Sequence, residues 1–318
     1  MRIEGSGFGE SGAYVHLPML ASPALVPALG NASPPLMGPQ VPARALISPT
    51  ILLFDSGLGG LTVFREAARA RPDAHFIYVA DDALFPYGAV EESRLIERLL
   101  GLMDGFVAAH QPDLVIIACN TASTLVLPSL RTPFAVPFVG TVPAIKPACA
   151  ASTTRLVSVL GTEATVKREY TRALIREFAA GCEVSLVGSA RLAALAESEL
   201  RGEPVADAHV AAEIAPCFVN NGTARTDTIV LACTHYPLLI ERMRRLAPWP
   251  VGFLDPAPAI ARRVVELIGP ADGQEPSAPA RAVFTSARPI SPTLEAALGR
   301  LGIADIAAGR FDTPRVSA

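Results

Sequence analysis

The chain has 318 residues, of which 50% are hydrophobic and 18% charged, and its formal net charge is -3. This length leaves room for two domains that each bury a core, and the composition excludes a disordered polyampholyte. The small net charge gives no electrostatic basis for binding a nucleic acid or a membrane surface, so we expect neither partner.

Residues 1–46 differ from the rest of the chain. The stretch 11–43 carries no charged side chain and is apolar enough to suggest a signal or membrane segment. Prolines interrupt every window long enough for a helix, and no positive region precedes an unbroken apolar run. We therefore expect a flexible Pro/Ala-rich extension; translation from Met37 would leave the patterned region intact.

Beyond residue 47, short apolar runs alternate with segments of helical period. This alternation is typical of an α/β protein with parallel strands that are buried on both faces. It predicts strands at 51–55, 76–79, 114–118, 155–160, 184–187, 228–232, 252–254 and 282–285, and helices at 61–70, 91–110, 165–178, 192–201, 205–220, 238–246 and 259–268.

One internal similarity organises the chain. Residues 113–121 (DLVIIACNT) and 227–235 (DTIVLACTH) share an acidic start, four apolar residues, and Ala-Cys followed by two polar residues. Each half would present one cysteine, Cys119 or Cys233, past the carboxyl end of a buried strand, where open parallel sheets bind ligands. The alternative is that both are ordinary core cysteines, but the polar residues that follow argue against it.

Two thiols that face one cleft suit the removal of a proton from one face of a carbon and its return to the other. A cofactor-free racemase needs two bases for this, and cysteine is suited because its pKa is readily shifted. The other cysteines are Cys149, Cys182 and Cys217; with no CxxC pair they indicate free thiols in a reducing, cytoplasmic compartment rather than a disulfide framework or a zinc ribbon.

Three further motifs could serve such a site. The segment 54–62 (FDSGLGGLT) follows a strand and opens a helix; as a dinucleotide fingerprint it lacks the third glycine. The loop 81–88 (DDALFPYG) could close over a small polar ligand or be a simple turn. His235 follows Cys233 by two residues and could exchange protons with its thiol, although a histidine in this position is often structural.

Cofactors are not expected. The chain has only two lysines, Lys146 and Lys167, and neither lies in these motifs, so a pyridoxal Schiff base is disfavoured. A zinc ion held by Cys119, Cys233, His235 and a carboxylate is chemically conceivable, but no ligand spacing calls for one, so we expect no metal.

Four motifs, DSGLGGLTV, DDALFPYG, ACNTAS and ACTHYPLL, occur in the order found in glutamate racemases of the aspartate/glutamate racemase superfamily, and the resemblance spans 51–302. It implies an α/β fold of two similar doubly wound parallel-sheet domains with the active site in the cleft between them. It also implies cofactor-independent interconversion of L- and D-glutamate, which supplies D-glutamate for peptidoglycan synthesis. We expect a small-molecule substrate and a homodimer.

The resemblance also assigns roles to individual residues. The thiolate of Cys119 would take the α-proton of D-glutamate while Cys233 supplies one to the opposite face, with the roles exchanged for L-glutamate. Asp55 and His235 resemble auxiliary acid/base groups. The residues that would bind substrate are Asp55, Ser56, Tyr87, Gly88, Asn120, Thr121, Thr234 and His235, with Thr162 as a further candidate. Asp81 matches a further acidic position in the family's loop and is a possible site residue.

One segment departs from the family pattern. A glutamate often found near the catalytic centre would fall at about Ala190. Either Glu197 or Glu199 replaces it from the next helix, or the enzyme works without that carboxylate.

The domains are expected at 47–143 with 247–305, and at 144–246, with a tail at 306–318. A racemase of aspartate or another amino acid is the nearest alternative. A two-lobed amino-acid-binding protein would also close around a zwitterion, but it has no need of paired thiols. A thiol hydrolase needs one nucleophile with a base, not two mirrored cysteines.

Overall fold

The computed structural model describes residues 47–271, 273 and 279–309. They form two parallel sheets, one of six strands in the order β10-β9-β2-β1-β3-β4 and one of four strands in the order β6-β5-β7-β8. The strands are β1 (Thr50–Asp55), β2 (His75–Ala80), β3 (Leu114–Ile117), β4 (Phe138–Gly140), β5 (Leu156–Thr162), β6 (Glu183–Ser189), β7 (Thr228–Ala232), β8 (Gly252–Leu254), β9 (Ala280–Phe284) and β10 (Ile303–Ala308).

Helices connect the strands, as parallel pairing requires. They are α1 (Leu61–Ala70), α2 (Glu92–His110), α3 (Asn120–Leu130), α4 (Ile145–Ala151), α5 (Glu163–Lys167), α6 (Glu169–Phe178), α7 (Leu192–Leu200), α8 (Asp207–Ile214), α9 (Ile240–Leu246), α10 (Ala257–Ile268) and α11 (Pro292–Arg300). Among the residues described, no helix combines the length and the apolar character needed to cross a membrane.

Both sheets are buried on their two faces. Alternate residues of β1 divide between two apolar clusters: Ile51 and Leu53 pack with α1 and α10, and Leu52 and Phe54 pack with α2 and α3. The second sheet is likewise covered by two clusters. Burial on both sides explains why the strands are continuous in apolar residues, and it confirms the predicted α/β class with two doubly wound parallel-sheet domains.

The two sheets repeat one topology. In the first sheet β1 lies between β2 and β3, and in the second β5 lies between β6 and β7. The chain therefore reverses its direction of winding between β1 and β3, and again between β5 and β7. Ligands in open α/β sheets bind outside the carboxyl ends of the strands at such switch points. Asp55 is the last residue of β1 and Cys119 follows β3, whereas Thr162 is the last residue of β5 and Cys233 follows β7.

Several predicted elements need correction. The helix predicted at 165–178 is two helices, because Arg168 between them has an extended backbone. The helix predicted at 205–220 ends at Ile214, where Pro216 lacks the amide that would continue it. The sequence prediction missed β4, β10, α3, α4 and α11.

The predicted domain boundaries differ from the sheets at two points. β8 pairs with β7 in the second sheet, so the chain returns to the first sheet after Leu254 and not at 247. β10 pairs with β9 and continues to Ala308, beyond the predicted end at 305. The predicted extension at 1–46 and residues 310–318 of the predicted tail lie outside the described residues.

Candidate active site

A small pocket lies where the carboxyl ends of the two sheets face each other. Its volume is about 20 Å³, the size that holds one or two water molecules. Most of the residues that the sequence singled out line it, together with others that it did not: Ser56, Phe85, Pro86, Tyr87, Gly88, Cys119, Asn120, Thr121, Thr162, Ala193, Cys233, Thr234 and His235. Both cysteines of the internal repeat therefore reach one enclosed space.

Cys119 stands between β3 and α3 and caps the helix. Its Sγ accepts a hydrogen bond from the amide of Ala122 at 3.5 Å. Burial and the negative charge of Asp55 raise the pKa of the Cys119 thiol to about 12, although the Ala122 amide and the Ser56 hydroxyl act in the opposite direction. Cys119 is therefore a neutral thiol at neutral pH in this arrangement.

Cys233 follows β7 and has a different neighbour. Its Sγ lies 3.8 Å from Nδ1 of His235, and Nε2 of the same ring lies 2.9 Å from Oε1 of Glu197. Burial alone lowers the pKa of His235, but the hydrogen bonds to Cys233 and Glu197 outweigh it and raise the pKa well above 6.5. Burial likewise raises the pKa of Glu197, but the bond and charge of His235 leave it lowered. The two form an imidazolium–carboxylate pair.

Glu197 also joins the two sheets. Its Oε1 accepts a hydrogen bond from the amide of Leu58 at 2.6 Å, in the turn that follows β1. The turn approaches so closely that a Cβ on Gly57 would lie 2.1 Å from Oε1 of Glu197, and one on Gly59 would lie 2.5 Å from Nδ1 of His235. The glycines of the DSGLGG motif thus allow this turn to contact the His235–Glu197 pair.

Of the two carboxylates that the sequence offered in place of the one missing near Ala190, Glu197 is the one that contacts His235. Glu199 is directed elsewhere and pairs with Arg242. Glu197 lies on α7, where i,i+4 spacing also brings Arg201 to 3.3 Å from its Oε2. No local pattern marks Glu197 over Glu199, because the choice depends on which face of α7 meets the second strand end.

Asp55 is fully buried and does not line the pocket. Its carboxylate accepts hydrogen bonds from the amides of Gly57 and Gly60, and Oδ1 lies 3.3 Å from the hydroxyl of Thr234. The predicted roles of Asp55 as an auxiliary acid/base and as a substrate contact stay predictions. Asp55 holds the turn and Thr234 through these hydrogen bonds, and its negative charge raises the pKa of Cys119.

Asp81 also lies outside the pocket. It is fully buried and accepts hydrogen bonds from Tyr87 at 2.7 Å, from Thr285 at 2.6 Å and from Arg98 at 2.7 Å. Asp81 was a possible site residue, and these hydrogen bonds give it a part in positioning Tyr87. It anchors the hydroxyl of Tyr87 while the rest of that residue lines the pocket.

The side-chain amide of Asn120 is the pocket-lining group whose hydrogen bonds are not satisfied. Both Nδ2 and Oδ1 of its side chain are buried and have no hydrogen-bond partner. Buried amides are almost always paired, so this side chain is available to a bound polar group. Beside it, the hydroxyl of Thr121 lies 3.3 Å from that of Thr162, which comes from the other sheet.

Comparison with known proteins places the chain in a family. The model of the Asp/Glu/Hydantoin racemase family matches residues 56–264, which is more than half of the chain. The chain belongs to this family. The glutamate racemase of Brucella ovis is 56% identical over 254 residues, which cover 78% of this chain and 91% of the relative. That of Brucella anthropi is 58% identical over 226 residues, covering 71% and 81%.

Solved structures of this family share the fold. Glutamate racemase from Escherichia coli, in complex with L-glutamate and the activator UDP-MurNAc-ala, has a TM-score of 0.75 at 38% identity and covers 82% of this chain and 97% of its own. The Thermus thermophilus glutamate racemase, in complex with beta-chloro-D-alanine, has a TM-score of 0.62 at 28% identity, covering 83% and 97%. With these relatives and this family membership, the chain is an amino-acid racemase.

Proposed function

We propose that this racemase interconverts L-glutamate and D-glutamate by transfer of the α-proton between two cysteines, without a cofactor, and so supplies D-glutamate for peptidoglycan synthesis. The observation that carries the proposal is that Cys119 and Cys233 line one pocket, each from the end of its own sheet. The curated relatives named glutamate racemase support the choice of substrate.

Two thiols are needed because a single base returns the proton to the face from which it came. Cys119 removes the α-proton of D-glutamate while Cys233 protonates the opposite face, and the roles reverse for L-glutamate. In the L-to-D direction the neutral form of Cys119, favoured by its raised pKa, is the form that donates. In the D-to-L direction Cys119 must be present as the thiolate, and a substrate ammonium group beside it would offset the charge of Asp55 and favour that form.

His235 and Glu197 serve the second thiol. Nδ1 of His235 faces the Cys233 sulfur and can pass a proton to or from it, while Glu197 fixes the ring from the other side. A carboxylate behind an imidazole orients it and stabilises its protonated form, as in other catalytic triads. Glu197 is therefore a positioning residue, and His235 is an auxiliary acid/base.

The α-carbon of an amino acid is a far weaker acid than a thiol, so the pocket must stabilise an enolate-like transition state. Preorganised donors in a water-excluded site make the largest contribution of this kind. We assign this task and the holding of the two carboxylates to the unpaired amide of Asn120 and to the polar groups that surround it: Ser56, Tyr87, Gly88, Thr121, Thr162 and Thr234.

The proposal extends to the setting of the reaction. We propose that the enzyme works in the cytoplasm, where a reducing environment keeps both thiols free, and that it forms a homodimer. Light scattering on the purified protein tests the second statement, because a monomeric mass at micromolar concentration contradicts it.

The test of the substrate is proton NMR of L-glutamate in heavy water with purified enzyme, with L-aspartate and L-alanine in matched samples. We expect loss of the α-proton signal and formation of the D-enantiomer with glutamate, and turnover at least about 100-fold slower with the other two, because buried polar groups left unpaired by a shorter substrate are costly. Equal or faster turnover of aspartate would identify a different amino-acid racemase.

A further inference from the structure

A second cavity adjoins the active-site pocket. It has a volume of about 630 Å³, and we call it the outer cavity. Gly88 lines both spaces, and a Cβ on Gly88 would lie 3.5 Å from the side chain of Thr162 across the cleft. Thr124 of α3 lines the outer cavity one turn beyond Thr121. The outer cavity therefore lies against the side of the pocket where Gly88 and Thr162 meet.

The wall of this cavity contains a largely buried cation. The side chain of Arg168 is only 13% exposed, and its Nη1 lies 2.9 Å from Oε1 of Glu92, whose side chain is 64% exposed. Nε of Arg168 is buried and has no hydrogen-bond partner. Arg168 stands between α5 and α6 and Glu92 begins α2, so this ion pair joins the two sides of the cleft.

The other charged residues of the wall, Lys167 and Glu169, are in solvent-exposed ion pairs. Lys167 is mostly exposed and pairs with Glu163 on its own helix. Glu169 pairs with Arg176, and both side chains are exposed. Such surface pairs contribute little and are readily screened. Among the described residues that line the outer cavity, Arg168 is the cation whose side chain is largely buried and whose Nε has no hydrogen-bond partner.

An incoming dicarboxylic amino acid matches this arrangement. A guanidinium presents paired N–H donors that fit a carboxylate, and a donor without a partner favours such a ligand. The present partner, Glu92, is exposed enough to be solvated when it is displaced. The active-site pocket itself is too small to be entered without movement of the residues that separate it from the outer cavity.

We propose that the outer cavity is an entrance subsite, in which Arg168 exchanges Glu92 for a carboxylate of the incoming substrate before it passes between Gly88 and Thr162. The inference rests on the proposed function, because it takes glutamate as the substrate. It assigns to Arg168 a part in substrate capture, outside the pocket in which the proton is transferred.

The test compares steady-state kinetics with L- and D-glutamate at low ionic strength for three variants. Arg168→Gln removes the cation, and we expect kcat/KM to fall about tenfold in both directions through KM, with kcat within about twofold, since one charge-assisted hydrogen bond of initial binding is lost. Glu92→Gln breaks the same ion pair but leaves Arg168 available, so kcat/KM is expected to be unchanged or a few-fold higher. Lys167→Gln is the matched control for net charge and should be unchanged.

Each other outcome overturns the entrance subsite. If Arg168→Gln and Glu92→Gln lower kcat/KM equally, the ion pair serves only to hold the two sides of the cleft together. If Lys167→Gln lowers kcat/KM as much as Arg168→Gln does, the loss reflects the overall positive charge of the region and not a contact with Arg168. Arg168→Lys guards against a folding defect, and with its charge retained it should recover part of the lost kcat/KM. Wild-type enzyme that does not racemise glutamate contradicts the proposed function itself, whereas an active wild type with unchanged kinetics in Arg168→Gln contradicts the subsite alone.

Discussion

The two halves of the site start from the same local sequence and end in different chemistry. Cys119 and Cys233 each follow Ala at the end of a buried strand, and β3 and β7 hold the same place in their sheets. Cys119 has a helix amide and the charge of Asp55 as its neighbours. Cys233 has an imidazole that is itself paired with a carboxylate.

The difference shows that the repeated strand end determines the position of each thiol but not its protonation state. The residues that set the protonation state come from elsewhere: Asp55 from β1, and Glu197 from α7. The pKa of the Cys119 thiol is raised, whereas Cys233 lies next to an imidazole that is paired with a carboxylate. We therefore expect the two directions of the reaction to respond differently when these neighbours are changed, although both need both thiols.

The largest effect is expected from removal of either thiol. Cys119→Ser and Cys233→Ser should each lower racemisation by roughly 10³-fold or more in both directions, because a hydroxyl is a much weaker acid than a thiol and one face is left without a base. A chiral assay of D- and L-glutamate measures this. Cys217→Ser, at a buried cysteine in the core of the second sheet, is the matched control and should retain activity. A variant at Cys119 or Cys233 with near-normal turnover would remove that residue from the mechanism.

Loss of the Glu197 carboxylate should have the next largest effect, and it changes the surroundings of Cys233 but not those of Cys119. Glu197→Gln is expected to lower kcat about 10- to 100-fold, the range of a disturbed acid/base partner. The raised pKa of His235 falls when its carboxylate partner is removed, so His235 loses its proton at lower pH and the basic limb of the kcat profile moves to lower pH. Glu199→Gln, two residues away and paired with Arg242, should leave the profile in place.

A methyl group at Gly57 tests the contact between the halves. Gly57→Ala would bring a Cβ to 2.1 Å from the Glu197 oxygen, so the turn or the carboxylate must move. We expect about a tenfold loss of kcat, together with destabilisation of roughly 1–3 kcal/mol from the overpacking. Gly105→Ala is the control, since nothing lies within 4 Å of a Cβ at this helical position and alanine favours a helix. Thermal unfolding and kinetics that do not distinguish the two variants would contradict the contact.

The smallest effect concerns the acidic residue that begins each repeat. Asp227 accepts hydrogen bonds from Ser152, Thr153, Thr154 and Thr228, whereas Asp113 accepts one from the amide of Thr50. Partial burial raises the pKa of Asp227, but these bonds leave it below its ordinary value. Asp227→Asn is therefore expected to cost about 1–2 kcal/mol of unfolding free energy at pH 7, and Asp113→Asn less than about 1 kcal/mol.

The pH dependence of that difference follows from its sign. A carboxyl with a lowered folded pKa stabilises the fold above its unfolded value near 4, and the contribution is lost as the pH falls through the folded pKa. The stability gap between wild type and Asp227→Asn should therefore be constant from pH 7 to about 5 and narrow below about pH 4. Urea unfolding at each pH measures it. A gap that widens on acidification would show that the carboxylate is not the stabilising form.

The sequence predicted the features that depend on local or repeated patterns, namely most strands and the positions of the two cysteines. The apolar runs located eight of the strands, and the repeat 113–121 and 227–235 correctly placed both cysteines beyond strand ends. β10 was missed because most of its residues are not buried and Asp305 interrupts its apolar residues. Pro128 inside α3 concealed a helix that begins at Asn120.

What the sequence could not predict depends on contacts between distant segments. Glu197 meets an amide 139 positions away, and nothing in α7 distinguishes it from Glu199. Asp81 appears in an active-site motif, but its oxygens are taken up by Tyr87, Arg98 and Thr285. A motif identifies the residues around a site, whereas burial and hydrogen bonding decide which of them face the ligand.

The central claim is that each thiol serves one face of the substrate, and the most direct test is α-proton exchange by the single-thiol variants in heavy water. In Cys233→Ser the remaining Cys119 should exchange the α-proton of D-glutamate without inversion, and leave L-glutamate unchanged. In Cys119→Ser the preference should be reversed, with Cys233 and His235 exchanging L-glutamate alone. Proton NMR of each enantiomer reports both results. If both variants exchange the same enantiomer, or if either still racemises at the wild-type rate, the two thiols do not divide the faces between them.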